Sequence, residues 1–261
     1  MFPRSINRLL LLIFMDTMYK KGIYTIVENR PLTESVWLMR LAGDTQWLTR
    51  AGQFVMIELE GHFLRRPISV CDYDAEGFTI IYKVVGEGTA DMSRMEAGVK
   101  LDIITGLGNG FAIEEQVEKP LLVGGGVGVP PMYGLARKFI ERGLRPTVVL
   151  GFNTAKEIFF DEEFRRLGCD VHVTTVDGSA GVKGFVTTPL AELEFDYLYA
   201  CGPLPMLKAL CDNTSSPAQL SFEERMGCGF GACMGCSCKT HEGNKRICKE
   251  GPVLRKEEII W

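Results

Sequence analysis

Four cysteines near the carboxyl end constrain the fold and chemistry of this chain more than any other feature. Cys228, Cys233 and Cys236 follow C-x4-C-x2-C spacing, and Cys248 stands further along the chain. This spacing is typical of the four thiolate ligands of a [2Fe–2S] cluster. The glycines between these cysteines lack the Cβ atom that would keep backbone N–H groups away from the cluster sulfides. We therefore predict a C-terminal cluster that takes up and releases electrons one at a time.

Zinc binding and disulfide bonds are the alternative uses of the same cysteines. A zinc ribbon needs two C-x2-C pairs, whereas Cys248 has no such partner and only one residue separates Cys236 from Cys238. Alternation along a strand would place Cys238 on the same face as Cys236, so Cys238 could also replace Cys236 as a cluster ligand. We predict Cys238 to be a buried structural cysteine.

Composition limits the classes of protein to which the chain can belong. Its 261 residues suit two or three domains, and its net charge of −4 argues against binding of nucleic acid. Of its nine cysteines, four are scattered singly, as buried free thiols are in a reducing compartment. These four are Cys71, Cys169, Cys201 and Cys211. We therefore expect the protein to be cytoplasmic.

The amino-terminal segment imitates a signal peptide. An apolar run, Leu9–Met15, follows Arg4 and Arg8 and ends at Asp16. The run is much shorter than the roughly 20 residues of a membrane-spanning helix, and no small-residue cleavage site follows it. We predict residues 1–17 to be an extension, disordered or read from an upstream start, with export as the alternative. No other stretch is predicted to cross or bind a membrane.

Short β-branched and aromatic runs follow one another between Lys20 and about Ala112. Turn residues divide the runs at the spacing of a small antiparallel barrel. The runs are Gly22–Val27, Val36–Leu41, Phe54–Leu59, Ile68–Cys71 and Phe78–Val85. A polar linker at Glu114–Lys119 ends the pattern, so residues 18–116 are predicted to form a β-barrel domain.

Strands then alternate with helices, which predicts βαβ units and a parallel sheet. Further strands and helices are predicted as Leu121–Val123, Pro131–Arg142, Thr147–Leu150, Phe160–Leu167, Asp170–Thr175, Tyr197–Ala200 and Pro205–Leu210. A linker rich in Ser, Pro and Asn, residues 211–221, leads to the cysteine-rich tail. The predicted bounds are 117–214 for the α/β nucleotide domain and 215–261 for the small cluster domain. The fold class is therefore α+β and multidomain.

Two short motifs in the barrel region indicate a flavin site. Arg66-Pro67-Ile68-Ser69 lies at one barrel strand, and Gly88-Thr89 follows another. A guanidinium can hold a pyrophosphate with two hydrogen bonds, and backbone N–H groups at a helix start can bind phosphate. The Ser69 hydroxyl can hydrogen-bond the reacting edge of an isoalloxazine ring. We also place the strand residues Ile81, Tyr82 and Lys83 in the predicted FAD site.

Two strand ends indicate a nicotinamide site. One is the glycine-rich turn that joins the strand at Leu121 to its helix, where the backbone can approach a pyrophosphate closely. The other is Cys201-Gly202-Pro203, at the end of the last predicted strand. The stretch Gly151–Ile158 carries one lysine and no arginine, which favours NAD over NADP. The glycines of the turn in the predicted site are Gly124, Gly125, Gly126 and Gly128.

These motifs resemble those of the ferredoxin–NADP⁺ reductase superfamily. Its barrel binds FAD through an Arg-x-Tyr-Ser motif, which Arg66 and Ser69 match while Ile68 replaces the tyrosine. Cys201-Gly202-Pro203, followed by Met206, is similar to the superfamily signature that lines the nicotinamide. The resemblance implies electron transfer between a flavin and a nicotinamide.

With its cysteine-rich tail, the chain from residue 18 to 261 resembles the electron-transfer subunits of type B dihydroorotate dehydrogenase. The tail segments Glu223–Cys228 and Arg246–Val253 carry this resemblance. It implies a partner, an FMN-containing catalytic subunit that oxidises dihydroorotate to orotate in pyrimidine biosynthesis, in a heterotetramer with two copies of each subunit. Electrons would pass through the cluster to FAD and then to NAD⁺.

No catalytic acid or base is predicted, because binding and positioning of the cofactors account for the implied chemistry. The three histidines show no triad or metal spacing and are predicted to be surface or strand residues: His62, His172 and His241. Two other functions remain open. One is a related NAD(P)H oxidoreductase subunit of the same architecture that serves ferredoxin, sulfide or hydrogenase chemistry. The other is a redox sensor or zinc-stabilised nucleotide-binding module without catalysis.

Overall fold

The first part of the chain forms a closed six-stranded antiparallel barrel. The computed structural model describes residues 19–261, so the predicted extension at residues 1–17 lies outside the described residues. The barrel strands are β1 Lys20–Pro31, β2 Val36–Ala42, β3 Phe54–Ile57, β4 Arg66–Tyr73, β5 Gly77–Lys83 and β6 Lys100–Leu107. They close in the order β1-β2-β5-β4-β3-β6, which confirms the predicted barrel.

Strand β6 is absent from the sequence prediction. Asp102 and Gly106, the latter with a φ of 75°, interrupt its apolar alternation and weaken the local signal. The strand nevertheless pairs with β1 on one side and β3 on the other, and this pairing closes the barrel. Long-range pairing therefore decides the conformation of β6, where local propensity does not.

The barrel interior is apolar, with one polar connection to a short helix. Helix α1 (Glu87–Ser93) follows β5 and ends beside β1. Asn29 of β1 accepts a hydrogen bond from the buried Tyr82 hydroxyl at 3.0 Å. Its amide nitrogen also donates to the carbonyls of Met92 and Met95, at 2.9 and 2.8 Å. Asn29 thus satisfies a buried phenol and fixes the end of α1 on the barrel wall.

A seven-stranded sheet with helices forms the second part of the chain. The strands and helices from residue 120 onward are β7 Pro120–Gly125, α2 Val129–Glu141, β8 Thr147–Phe152, α3 Asp161–Leu167, β9 Asp170–Thr175, β10 Val182–Lys183, β11 Tyr197–Cys201, α4 Leu204–Asp212, β12 Ala218–Ser221, β13 Ser237–Thr240, β14 Gly243–Arg246 and β15 Val253–Arg255. The strand order of the sheet is β10-β9-β8-β7-β11-β12-β15, and all neighbouring pairs are parallel except β12 and β15. No helix within residues 19–261 is long and apolar enough to span a bilayer.

The cysteine-rich tail is joined to this sheet. Strand β12 lies inside the stretch 211–221 that the sequence predicts to be a linker, and it pairs with β11. Strand β15 returns from beyond the cysteines and pairs antiparallel with β12, while β13 and β14 form a separate hairpin. Four buried residues are too short a run to stand out among turn formers, so the linker prediction fails there. The predicted domain bounds at 214 and 215 remain a prediction.

Helix α2 packs directly on barrel strand β4. A Cβ atom at Gly134 would lie 2.6 Å from the carbonyl oxygen of Cys71, so the helix and strand backbones meet without an intervening side chain. The Arg137 guanidinium pairs with the Asp72 carboxylate at 2.7 Å and donates to the Tyr73 carbonyl at 2.6 Å. Burial raises the pKa of Asp72, and Arg137 opposes that shift. This contact fixes the barrel against the sheet.

The Gly134 contact gives a testable prediction for stability. Helix propensity alone favours alanine over glycine by about 1 kcal/mol. We nevertheless expect Gly134→Ala to lower the free energy of unfolding by about 1–3 kcal/mol, because the clash is with backbone and cannot relax through a rotamer. Thermal unfolding would measure the change, with Glu141→Ala near the exposed end of the same helix as the control. An unchanged or raised Tm for Gly134→Ala would contradict the close packing.

Candidate functional site

One cleft brings together half of the residues predicted to bind cofactors. Its volume is about 610 Å³, and it lies where the barrel faces the carboxyl ends of β7, β8 and β11. The predicted residues that line it are Ser69, Lys83, Gly125, Gly126, Gly128, Cys201, Gly202 and Pro203. The other predicted residues lie outside its lining: Arg66, Pro67, Ile68, Ile81, Tyr82, Gly88, Thr89 and Gly124.

The glycine-rich turn and the end of β11 meet because β7 and β11 are parallel neighbours. Cys201 stands opposite Gly124 in the register of the two strands. A Cβ atom at Gly128 would lie 2.1 Å from the Cys201 carbonyl oxygen, so only glycine fits there. Gly126 differs, since it has a φ of 53° and nothing lies within 4 Å of an added Cβ. The turn therefore presents open backbone to the cleft at the start of α2, which suits a phosphate.

The thiol of Cys201 lies at the meeting point of three strands. It is half-buried, and desolvation together with Glu223 raises its pKa to about 12, although a hydrogen bond with Ser221 opposes the shift. Cys201 stands opposite Ser221 in the register of β11 and β12. At neutral pH the thiol is therefore protonated, and it faces the cleft as a small neutral group.

Sequence reasoning missed the residues at and just after the end of β12. Ser221, Phe222 and Glu223 all line the cleft. The prediction placed Ser221 in a linker and Glu223 only at the start of the cluster tail. The signal that could have found them is positional, because a third parallel strand beside β11 must bring its carboxyl end to the same edge. The chain therefore runs from the cleft directly into the cysteine-rich loop.

The cleft carries an acidic group at the end of β8. Asn153 and Glu157 line it, and a Glu157 carboxylate oxygen accepts hydrogen bonds from the Asn153 side chain at 2.9 Å and backbone at 3.2 Å. The single lysine of this stretch, Lys156, does not line the cleft. A carboxylate repels the additional phosphate of NADP, so the local charge agrees with the prediction of NAD.

Arg66 and α1 share a second polar region on the barrel. A Cβ atom at Gly88 would lie 2.3 Å from Nε of Arg66, so the guanidinium lies directly over the first turn of α1. Thr89 fixes that turn, because its hydroxyl oxygen accepts hydrogen bonds from the N–H groups of Val85 and Gly86, at 3.0 and 3.3 Å. The first N–H groups of a helix have no partner inside it. A fixed cation and free donors thus meet at one point, an arrangement that suits a pyrophosphate.

The side chains of Ile81 and Tyr82 pack in two different parts of the core. Both are buried in the protein interior, and burial raises the pKa of Tyr82 although its hydrogen bond with Asn29 opposes the shift. Of Ile81, Tyr82 and Lys83, the cleft lining includes Lys83. Pro67 and Ile68 lie half-buried on the neighbouring strand β4. Their place in the FAD site stays a prediction.

The four cysteines predicted as cluster ligands form two sulfur pairs. Sγ of Cys228 contacts the Cys233 side chain and accepts the backbone N–H groups of Ala232 and Cys233, at 3.2 and 3.4 Å. Sγ of Cys236 contacts the Cys248 thiol and accepts its backbone N–H at 3.4 Å. Partial burial acts to raise the pKa of Cys228, but the N–H donors outweigh it and hold the value at about 6. Burial and the neighbouring Cys236 sulfur raise the pKa of Cys248 to about 12.

This donor set fits a cluster of two irons. Each iron of a [2Fe–2S] cluster takes two cysteine thiolates, and the chain supplies two pairs. Added Cβ atoms at Gly227 and Gly235 would lie 3.3 and 3.5 Å from Sγ of Cys233, so glycines keep the surroundings of that sulfur open.

The cluster loop is exposed at its tip and buried at its base. Cys233 is exposed, and Met234 is 53% exposed, whereas Cys236 and Cys248 are buried. The prediction that Cys238 is buried is wrong, because this residue is only half-buried on β13. The β13–β14 hairpin, which carries Cys238, stands outside the seven-stranded sheet. The sheet therefore does not bury this side chain fully.

Two contacts hold the cluster loop against the barrel. A Cβ atom at Gly229 would lie 2.7 Å from Cγ of Met56 on β3, so the loop rests on that strand. Asn109, just after β6, donates to the carbonyls of Glu250 and Val253, at 3.0 and 2.7 Å, and accepts from the Val253 N–H at 3.1 Å. The chain on either side of Cys248 is therefore fixed to the same barrel that contributes Ser69 to the cleft.

Solved structures identify the class of protein that this fold and site define. A chain of an NADH-dependent reduced ferredoxin–NADP oxidoreductase, studied for flavin-based electron bifurcation, is 32% identical, with a TM-score of 0.83 and coverage of 92% of this chain and 90% of that one. A ferredoxin NADP⁺ reductase from Neisseria gonorrhoeae with bound FAD and NADP shares the fold at 15% identity, with a TM-score of 0.66 and coverage of 74% and 90%. The protein is an oxidoreductase with the ferredoxin–NADP reductase fold.

Sequence relatives identify the family. Residues 122–212 match the oxidoreductase NAD-binding domain, and residues 223–260 match the iron–sulfur cluster binding domain of dihydroorotate dehydrogenase B. The dihydroorotate dehydrogenase B (NAD(+)), electron transfer subunit, of Bacillus pumilus is 42% identical over 254 residues, which is 92% of this chain and 98% of that protein. The protein of the same name from Fusobacterium nucleatum is 40% identical, over 90% and 96%. The chain belongs to the family of dihydroorotate dehydrogenase B electron transfer subunits.

Membership confirms the main predictions from the sequence. The chain is an electron-transferring oxidoreductase subunit, and its cofactors are FAD, an iron–sulfur cluster and NAD. The predicted architecture of flavin barrel, nucleotide domain and cluster-binding tail is also confirmed. A subunit of this family has a catalytic partner subunit.

Proposed function

We propose that this chain carries electrons between a catalytic subunit that oxidises dihydroorotate and NAD⁺. The observation that carries the proposal is the tail, where two cysteine pairs suited to a [2Fe–2S] cluster lie within residues 223–260, the segment that matches the family's cluster domain. When bound, FAD supplies the conversion between the hydride that a nicotinamide exchanges and the single electrons that the cluster carries. The residues of this chain bind, orient and shield the three groups.

Two sites divide this work within the chain. The nucleotide site is the cleft of Gly125, Gly126 and Cys201, where open backbone at the start of α2 receives the pyrophosphate. The FAD site runs from the Ser69 end of the same cleft to Arg66 over α1. The carboxylate of Glu157 supports NAD as the dinucleotide. The proposed domains are 18–116, 117–214 and 215–261, although β15 returns to the sheet of the nucleotide domain.

The partner that we propose is an FMN-containing dihydroorotate dehydrogenase catalytic subunit, in a heterotetramer with two copies of each chain. Resemblance over residues 18–261 supports this assembly. The exposed Cys233 and Met234 place the tip of the cluster loop where a second protein can approach it. All nine cysteines lie within the described residues 19–261 and are free thiols there, which supports the reducing cytoplasm as the compartment.

A second function has support from one observation. The chain is 32% identical to part of an NADH-dependent reduced ferredoxin–NADP oxidoreductase, which would make ferredoxin the electron partner. The dihydroorotate dehydrogenase B relatives reach 42% identity over 92% of the chain, so the first function has the stronger support. Copurification separates the two functions. The first predicts an FMN protein that converts dihydroorotate, and the second predicts a partner with [4Fe–4S] clusters.

The charge of Glu157 gives a prediction for cofactor preference. We expect Glu157→Arg to improve the kcat/KM for NADPH by about 10-fold or more, because an arginine pairs with the additional phosphate that the carboxylate repels. Glu163→Arg, a substitution on α3 outside the cleft lining, is the control for added charge. Rates of flavin reduction with NADH and NADPH would measure the effect. An unchanged preference would contradict the role proposed for Glu157 in favouring NAD.

A further inference from the structure

His62 joins Arg66 to a carboxylate on α1. Its Nδ1 accepts a hydrogen bond from Nη2 of Arg66 at 2.8 Å, and its Nε2 lies 2.7 Å from the Asp91 carboxylate. The imidazole side chain is only 15% exposed, so its rotamer is fixed by packing. The sequence predicts a surface or strand residue here, and that prediction misses the contact. We infer that His62 and Asp91 are positioning residues that hold Arg66 in the orientation that receives the FAD pyrophosphate. This inference rests on the proposed FAD site.

The hydrogen bonds determine the tautomer of His62. A guanidinium has donors only, so the Nδ1 atom that faces Arg66 must be the unprotonated acceptor. The ring proton is then on Nε2, which donates to Asp91. The hydrogen bond from His62, with Arg94 on the other side, lowers the pKa of Asp91, so the acceptor remains ionised. Asp91 thus fixes the one tautomer that can accept a hydrogen bond from Arg66.

A neutral imidazole orients Arg66 without neutralising it. The neighbouring Arg65 shows the contrast, because it pairs with the Glu58 and Asp102 carboxylates and its charge is taken up inside the protein. Within the described part of the chain, no carboxylate pairs with Arg66. Its other hydrogen bond is to the Leu64 carbonyl. The full positive charge of Arg66 is therefore held over Gly88 for an external anion.

Preorganisation of this kind lowers the cost of binding. A free arginine side chain must lose its rotamer freedom when it binds a pyrophosphate, whereas a side chain that is already held loses little. The expected consequence is slower release of FAD. The acceptor at the position of Nδ1 is the feature on which this effect depends, since Nδ1 is the atom of His62 that bonds Arg66.

Two substitutions of His62 separate this role from simple packing. In His62→Asn the amide oxygen takes the place of Nδ1 and can accept from Arg66. In His62→Gln the amide reaches toward Asp91 and leaves a methylene at the place of Nδ1. We expect His62→Gln to release FAD about 10-fold faster than the wild type, and His62→Asn to stay within about threefold. Asp91→Asn, an exposed substitution that also permits the wrong tautomer, is expected to accelerate release as well.

The measurement is the rise in flavin fluorescence when anaerobically purified holoprotein is diluted, with melting temperature and cluster absorbance recorded for each variant. Glu60→Gln, in the same surface pocket, is the control.

Arg66→Ala is expected to accelerate release by at least about 30-fold, with no further effect of His62→Gln in the double variant. Equal release from His62→Asn and His62→Gln, or additive effects in the double variant, would overturn the positioning role alone. Unchanged release from Arg66→Ala would overturn the proposed FAD site as well.

Discussion

Replacing Cys233 with serine is expected to stop electron transfer to the partner and to leave the flavin site intact. Cys233 pairs with Cys228 and is exposed at the tip of the loop, so its loss removes one ligand without disturbing the buried base. The iron–sulfur absorbance should disappear, and the rate of transfer should fall by at least about 100-fold, more than the loss of an outer partner of a metal site costs. Reduction of FAD by NADH should continue at the wild-type rate, because none of the four predicted cluster ligands lines the cleft.

The control for this experiment is Cys238→Ser. Cys238 lies two positions after Cys236 but belongs to neither sulfur pair, and it is half-buried on the hairpin. We expect this variant to keep the cluster spectrum and the rate of transfer. Stopped-flow absorbance and electron paramagnetic resonance would follow flavin and cluster separately. Loss of the cluster in Cys238→Ser with its retention in Cys233→Ser would mean that the ligand set is wrong.

The second large effect is expected at the nucleotide end of the cleft. Gly128→Ala places a methyl group where the Cys201 carbonyl oxygen lies only 2.1 Å away, and the backbone torsions of Gly128 are otherwise acceptable for alanine. Because Gly128 lies in the turn before α2 and Cys201 ends β11, the turn and the Cys201–Gly202 segment must separate. We expect NADH to reduce the flavin at least about 100-fold more slowly, since a misplacement of about 1 Å in a reactive geometry can cost that factor.

A glycine whose Cβ has free space provides the matched control. At Gly86 nothing lies within 4 Å of an added Cβ, and the backbone is extended, so Gly86→Ala should leave the reduction rate unchanged. Bound FAD and cluster, measured by absorbance, should be retained in both variants. A wild-type reduction rate in Gly128→Ala would contradict the role assigned to the close contact between Gly128 and the Cys201 carbonyl group.

The parts of the fold that depend on local pattern could be predicted from the sequence. Spacing alone predicts the four cluster cysteines, since the three that share a loop keep their separation whatever surrounds them. The glycine-rich turn after β7 is equally local, and so is the alternation of strands and helices that follows. For these features the local sequence and the tertiary structure agree.

The parts that depend on distant pairing could not be predicted. Strands β12 and β15 are short and gain their stability from β11 and from each other, which no local window shows. Asn109 is an ordinary turn residue in the sequence, yet its side chain binds the chain on the far side of Cys248. His62 likewise shows no motif, because its meaning depends on Arg66 and Asp91 standing on either side of it.

The periodicity of β5 also could not fix the direction of its side chains. The prediction includes Ile81 and Tyr82 as FAD-site residues, but alternation within a closed barrel sends the Tyr82 ring inward to Asn29. The place of Ile81 and Tyr82 in the FAD site therefore stays a prediction. Direction becomes known only when the register with β2 and β4 is known.

The most direct test of the account is a reconstitution with purified proteins. The chain, loaded anaerobically with FAD and cluster, is combined with the dihydroorotate dehydrogenase catalytic subunit of the same organism, with dihydroorotate as the donor and NAD⁺ as the only acceptor. We expect orotate and NADH to form in equal amounts, and omission of this chain or use of Cys233→Ser to abolish NADH formation. Formation of NADH without this chain, or with Cys233→Ser at the wild-type rate, would contradict it.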